Sequence, residues 1–335
     1  MTFLGTGLWA DVRELPEALS ATLEAAEGIA AAAALLRDGG VERIVATGNG
    51  AAYYVAHALW LASLEGAAAG PPITAVPVGI AVRDGFRWQP GDALLAVSSS
   101  GEFRDVVELA RRSGDRPVVA LTAHADSALG GAADVSVVQH VRSQRAVTHT
   151  QAVAGAYGAG LALWAAVTGD AALAAVLATA PQAAERAVAD AEAWAEEALR
   201  AAGRPPAAIV VGGGTAWAGA LELALMLKEI SRIPAEGVET REGATSAMFG
   251  LDRGHLMVSL DPAGDAAGDE AVRLCAAAGA TTLRLPGADV DARLAPITTL
   301  PGAAALSAGL AVAAGHDVDS PTWTDAYYET ARSET

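Results

Sequence analysis

The chain has 335 residues, of which 52% are hydrophobic and 18% charged, and its formal net charge is −17. That length and apolar share allow a large core divided between two domains, while the acidic balance excludes a nucleic-acid partner, which needs clustered lysine and arginine. A single phosphomonoester is not excluded, because backbone N–H groups at a helix start hold such an anion without basic side chains.

Residues 1–40 read as an N-terminal helical segment, amphipathic from about Leu15 to Leu36. Its opening MTFLGTGLWADVRELPEAL carries acids where a secretory signal needs a basic region, so the chain is expected to be cytoplasmic. From Val41 the sequence VERIVATGNGAAYYVAHALWLASLEG runs from β-branched residues through a glycine turn into a helical period, a βα unit with a buried strand. DALLAVSSSGEFRDVVELARRSG and RPVVALTAHADS follow in the same manner. The apolar run Gln151 to Val167 falls about one turn short of a comfortable membrane span and is predicted to be a buried helix, with no membrane partner. Residues 171–206 read as connecting helices. Their Ala-rich stretch is broken only by Pro181 and ends at Gly203-Arg204-Pro205-Pro206.

The second half answers the first. AAIVVGGGTAWAGALELALMLKEIS, RGHLMVSLDPAGDAAGDEAVRLCAAAG and ATTLRLPGADVD repeat the three strand–turn–helix elements in order, about 165 residues later. Residues 41–170 and 207–321 are therefore two copies of one α/β unit, each a doubly wound parallel sheet flanked by helices, and residues 322–335 are a C-terminal tail. Such sheets bind ligands beyond the C-terminal ends of their strands. Cys275, the sole cysteine, occupies a helical apolar position and is expected in the core, with no disulfide, no metal site and no cofactor implied.

The sharpest local signal is Ser98-Ser99-Ser100-Gly101-Glu102, after an apolar strand and before a helix. Hydroxyl and N–H donors there suit an anion, although an ordinary helix N-cap uses the same residues. In the second copy the matching turn, Leu260-Asp261-Pro262, offers an acid and a proline instead, so phosphate is expected in the first copy alone. The glycine turns Thr47-Gly48-Asn49-Gly50 and Gly212-Gly213-Gly214-Thr215 suit close backbone approach to a ligand and lack the full dinucleotide pattern. Lys228, Glu229, Arg232, Glu236, Glu239, Arg241 and Glu242 follow an apolar helix and read either as a polar cavity or as a solvated loop. Glu229 is expected at the end of that buried helix, with a raised pKa that fits a general acid/base. Among the histidines, His149 has hydroxyl neighbours, Thr148 and Thr150, and His316 precedes Asp317; each also fits a structural role.

From Val41 to about Pro321 the sequence resembles the double-SIS (sugar isomerase) family. That family includes the isomerase half of glucosamine-6-phosphate synthase, fructosamine-6-phosphate deglycases and amino-sugar deaminase/isomerases. The resemblance rests on SSSGE at Ser98, ALELALMLKEIS at Ala220 and DVDSP at Asp317. It implies two tandem SIS domains, a phosphate loop at Ser98, Ser99 and Ser100, and Glu229 as the carboxylate that moves a proton between C1 and C2 of an opened sugar. The remaining candidates for contact with the sugar are Thr47, Gly48, Asn49, Glu102, Thr148, His149, Arg241, Glu242, Thr245 and Ser246. The implied partners are a sugar or sugar phosphate and a second copy of the chain.

Four positions depart from the family pattern: Phe103 replaces a phosphate-loop threonine, Gly50 a serine of the glycine turn, and Thr245 the ring-opening histidine, while the tail TWTDAYYETARSET lacks a lysine. Position 2 is not a cysteine, so glutamine-dependent amide transfer is not expected. The reading is a sugar-phosphate or amino-sugar-phosphate isomerase, deaminase or deglycase. The alternatives are a non-catalytic sugar-phosphate binder and an enzyme for an unphosphorylated sugar-like substrate.

Overall fold

The computed structural model describes residues 2–66, 68–320 and 330–332. The strands are β1 (Arg43–Thr47), β2 (Ile73–Ala75), β3 (Asp92–Val97), β4 (Val118–Thr122), β5 (Val135–Val138), β6 (Ala208–Gly212), β7 (Ala235–Glu239), β8 (Leu256–Ser259) and β9 (Thr281–Arg284). Helices α1 (Gly7–Arg13), α2 (Leu15–Glu24) and α3 (Ala26–Asp38) precede them. Within and after the first sheet come α4 (Ala51–Leu64), α5 (Val78–Ala81), α6 (Arg104–Arg111), α7 (Thr150–Thr168), α8 (Ala171–Leu177) and α9 (Ala180–Ala202). The second sheet carries α10 (Ala216–Glu229), α11 (Thr240–Thr245), α12 (Ala266–Ala277), α13 (Ala295–Thr298) and α14 (Leu300–Ala314).

All pairings are parallel, in the orders β2-β1-β3-β4-β5 and β7-β6-β8-β9. The central strands β3, β4, β6 and β8 are buried along their whole length, as parallel strands covered on both faces must be. Both sheets reverse direction in sequence order beside the first strand of each copy, between β1 and β3 and between β6 and β8. Doubly wound sheets bind ligands at such reversals.

By packing, the chain forms two units. The first-sheet unit contains residues 17–142, 151–179 and 330–332; the second-sheet unit contains residues 2–16, 143–150 and 180–320. In the first, the core cluster around Leu94, Ala96, Val106, Leu109 and Leu129 joins β3 to α6. In the second, Val211, Met257, Ala271 and Cys275 meet beneath α12, which puts the lone cysteine in the core as its apolar position implies.

Pro181 falls at the start of α9 rather than breaking it, where its missing N–H costs no hydrogen bond. The run Gln151 to Val167 forms the buried helix α7. Among the described residues, Ala292–Ala314 passes for a membrane span by length and hydropathy, and 83% of its apolar 18-residue window is buried inside the fold, as in a core helix.

Candidate functional site

The reversal in the first sheet brings two turns together. Thr47, at the end of β1, pairs in register with Ala96 of β3, so the glycine turn after Thr47 lies beside the serine loop after Val97. Thr47 is buried and its hydroxyl donates to the Val76 carbonyl at 2.6 Å, which fixes the end of β1. Gly48 lies against Ala52, whose backbone would be 2.6 Å from any added Cβ. Asn49 and Gly50 are exposed beyond it, and Gly50 has φ 57° and ψ −130°, a conformation that a serine would adopt only under strain.

The serine loop is not an ordinary N-cap. Helix α6 begins at Arg104, and its N-cap is Phe103, which makes no side-chain cap bond. Ser98 is buried and its Oγ accepts the Gly101 N–H at 3.1 Å, while Ser100 Oγ accepts the Glu102 N–H at 3.2 Å. A hydroxyl that accepts from the backbone keeps its own proton to donate. The Ser99 carbonyl is held by Ala123 N–H and the Thr122 hydroxyl. Gly101, at φ 69°, sits against Ser127, where a Cβ would come within 2.0 Å of the hydroxyl oxygen. Glu102 uses one oxygen on the Ala128 N–H at 3.0 Å, which ties the loop to the next turn. The result is a pinned loop of hydroxyl groups at the C-terminal edge of the sheet, suited chemically to an anion.

The corresponding place in the second sheet is already filled. Asp261 is 4% exposed; its carboxylate accepts the Gly213 N–H at 2.7 Å, the Thr240 hydroxyl at 2.8 Å and the Ser259 hydroxyl at 3.3 Å. The chain's own carboxylate thus engages the glycine turn, which gives a physical reason for expecting phosphate in the first copy alone. Asp261→Ala strands these donors in a buried site and is expected to cost about 2–4 kcal/mol. Urea denaturation checks this, and a loss below about 0.5 kcal/mol would contradict the role.

Glu229 ends α10, half-buried, and burial raises its pKa while the neighbouring Lys228 charge pulls it back. Sequence reasoning missed a second acid on the same helix. Glu222 is 5% exposed, and its Oε2 has no hydrogen-bond partner among the described residues. Burial, reinforced by the Glu229 charge, pushes its pKa up to about 8. Seven residues separate the two carboxylates, which is two helical turns and one face. That spacing was the available signal, hidden because Glu222 lies inside an otherwise apolar run.

The charged stretch after α10 does not form one cluster. Strand β7 runs through it, so Glu229 stands at the N-terminal edge of the second sheet and Arg241, Glu242, Thr245 and Ser246 follow its C-terminal edge, roughly 15 Å of strand away. Those four residues are exposed. Arg241 pairs with Glu270 at 2.7 Å, and the hydroxyls of Thr245 and Ser246 both donate to the Glu242 carbonyl. Glu239 caps α11 by accepting the N–H groups of Arg241 and Glu242. Arg232, three residues after Glu229, is the one non-glycine residue with positive φ (56°) among the described residues, in a conformation often found near functional sites.

Thr148 and His149 belong to a segment fixed on α1. Asp11 accepts the N–H groups of Arg145 and Ala146 and pairs with the Arg145 guanidinium at 2.9 Å. His149 pairs with Gln144, and burial lowers its pKa against the opposing effect of Asp11. The Asp317 motif has a structural explanation: Asp319 accepts the Gly7 and Leu8 N–H groups at the start of α1, and its carbonyl accepts Val147 N–H. Pro321 and nearly all of the tail lie outside the described residues. An apolar hollow of about 440 Å³ in the first-sheet unit, lined by Leu23, Ala162, Ala166, Ala174 and Leu177, carries no comparable chemistry.

No family model matches the sequence, and no curated protein matches it. Solved structures do. A protein of Silicibacter pomeroyi DSS-3, provisionally assigned as a phosphosugar isomerase, superposes with TM-score 0.79 at 26% identity, over 94% of this chain and 100% of that one. The C-terminal domain of glucosamine-fructose-6-phosphate aminotransferase from Francisella tularensis gives 0.81 at 21% identity, over 94% and 98%. Tagatose-6-phosphate ketose/aldose isomerase from Escherichia coli gives 0.76 at 18%, over 96% of each chain. The chain therefore has the tandem SIS fold of these sugar isomerases. The resemblance carried by SSSGE and ALELALMLKEIS holds over nearly its full length.

Proposed function

We propose that this chain acts on a sugar phosphate or amino-sugar phosphate as an isomerase, deaminase or deglycase, without a metal or organic cofactor. Ser98, Ser99 and Ser100 hold the phosphate, with Thr47, Gly48, Asn49 and Glu102 beside them. Glu229 takes a proton from one carbon of the opened sugar and returns it to the next through an enediol-like intermediate. The observation that carries the reading is Glu229 itself, a half-buried carboxylate at a helix end whose pKa is raised in the direction an acid/base group needs. The activities of the structural neighbours support the substrate class.

The protein would work in the cytoplasm as a homodimer. Glu229 and the α11 residues Arg241, Glu242, Thr245 and Ser246 stand at opposite edges of one sheet, so a sugar that touches both draws them from two copies of the chain. A second reading, a binder without turnover, is favoured by Thr245: it presents a hydroxyl bonded to Glu242 where the family supplies an imidazole.

A thermal-shift comparison tests the ligand class. Fructose 6-phosphate or glucosamine 6-phosphate at a hundredfold excess over Kd should stabilise the fold by about 2.7 kcal/mol, and the double substitution Ser99→Ala/Ser100→Ala should remove that response. Equal stabilisation by the unphosphorylated sugars would refute the phosphate assignment.

A further inference from the structure

The serine loop carries no basic side chain, in a chain of net charge −17 whose overall field repels anions. Two arginines come near it within the first-sheet unit. Arg104, the first residue of α6, is well exposed and faces Asp105 at 3.6 Å. Arg332 arrives from the other end of the sequence: its backbone forms an antiparallel bridge with Phe103, two residues beyond Gly101. The acidic groups on the same stretch are Asp105, which faces Arg104, and Glu102, which has given one oxygen to Ala128.

Two features make this pairing more than a chance approach. The tail TWTDAYYETARSET contains three acids and a single cation, Arg332, and the residue that carries this cation is bridged to Phe103, just beyond the loop. Phe103 packs against the core cluster of β3 and α6, so its main chain is left to meet the tail.

We propose that Arg332 is an anion-recognition residue of the Ser98–Ser100 loop, supplying to a bound phosphomonoester the positive charge that the loop lacks. The inference rests on the phosphate reading of that loop. A guanidinium suits the task because its planar donors match two phosphate oxygens at once. The bridge is made by main-chain atoms, so replacing the side chain removes the charge while leaving the docking in place.

The test is isothermal titration of the full chain with inorganic phosphate and with fructose 6-phosphate, comparing wild type, Arg332→Gln, Arg332→Lys and Ser99→Ala/Ser100→Ala. Arg332→Gln should weaken both ligands roughly three- to tenfold, as expected for an exposed charge-assisted contact, with a shallower salt dependence than wild type. Arg332→Lys should recover part of the loss. If the serine variant loses binding while Arg332→Gln matches wild type at all salt concentrations, the role of Arg332 is refuted and the loop reading survives. If wild type binds neither probe, the loop reading falls and this inference with it.

Discussion

Replacing Glu229 with glutamine is expected to remove turnover while leaving the fold and ligand binding intact. Loss of a positioned general base lowers rates by about 10²- to 10⁴-fold, and the amide keeps the shape of the carboxylate at the end of α10. A direct measurement is incorporation of solvent deuterium at C1 of fructose 6-phosphate, next to its C2 carbonyl, followed by NMR. This reads the proton transfer whether or not the final product is known. Burial raises the Glu229 pKa, so the basic form is lost on acidification from a higher pH than an ordinary glutamate would allow, and exchange should fall along that limb. A Glu229→Gln protein that exchanges within about twofold of wild type would rule out this carboxylate as the base.

Glu222 should make the protein lose stability as pH rises. Its folded pKa, about 8, lies above the usual 4.5, so the folded state holds its proton more tightly than the unfolded chain. The stabilisation is fully present below pH 4.5 and is lost as pH climbs through 8, where the fold must either retain a buried charge or open. Glu222→Gln removes the titration. Its stability relative to wild type should therefore change by several kcal/mol, on the order of the shift converted at about 1.4 kcal/mol per unit, in favour of the variant between pH 5 and pH 9. Parallel denaturation curves across that range would show that Glu222 has a partner or solvent access. On its own helix, positions three and four away hold Ala218, Gly219, Leu225 and Met226, none of which can neutralise a carboxylate.

Much of the architecture was legible because buried parallel strands leave a plain trace. RIVAT, ALLAV, AIVVG and LMVS are apolar runs that end in glycine, serine or aspartate, and their repetition exposed both sheets. Strand β7 was not legible. Its AEGVE reads as part of a charged loop, but an edge strand tolerates glutamates on its open side. That misreading merged two groups of residues that the sheet holds apart. The serine loop was legible in its chemistry and its place, but its separation from the α6 cap was not, because cap preferences and anion loops draw on the same small residues. The bridge between Phe103 and Arg332 spans more than two hundred residues and leaves no local pattern at all.

Asp261 has a consequence for stoichiometry. A duplicated chain presents two equivalent reversals in strand order, and on symmetry alone would take up two anions. With one of them occupied by the chain's own Asp261 carboxylate, one reversal per chain is left open to an anion. Substitutions in the second half are then constrained by folding and by whatever Glu229 and α11 contribute, whereas on the proposed reading the first half would also have to fit a diffusible ligand. The two copies can therefore drift apart in sequence while keeping one backbone plan, as the turns SSSGE and LDPAG already do.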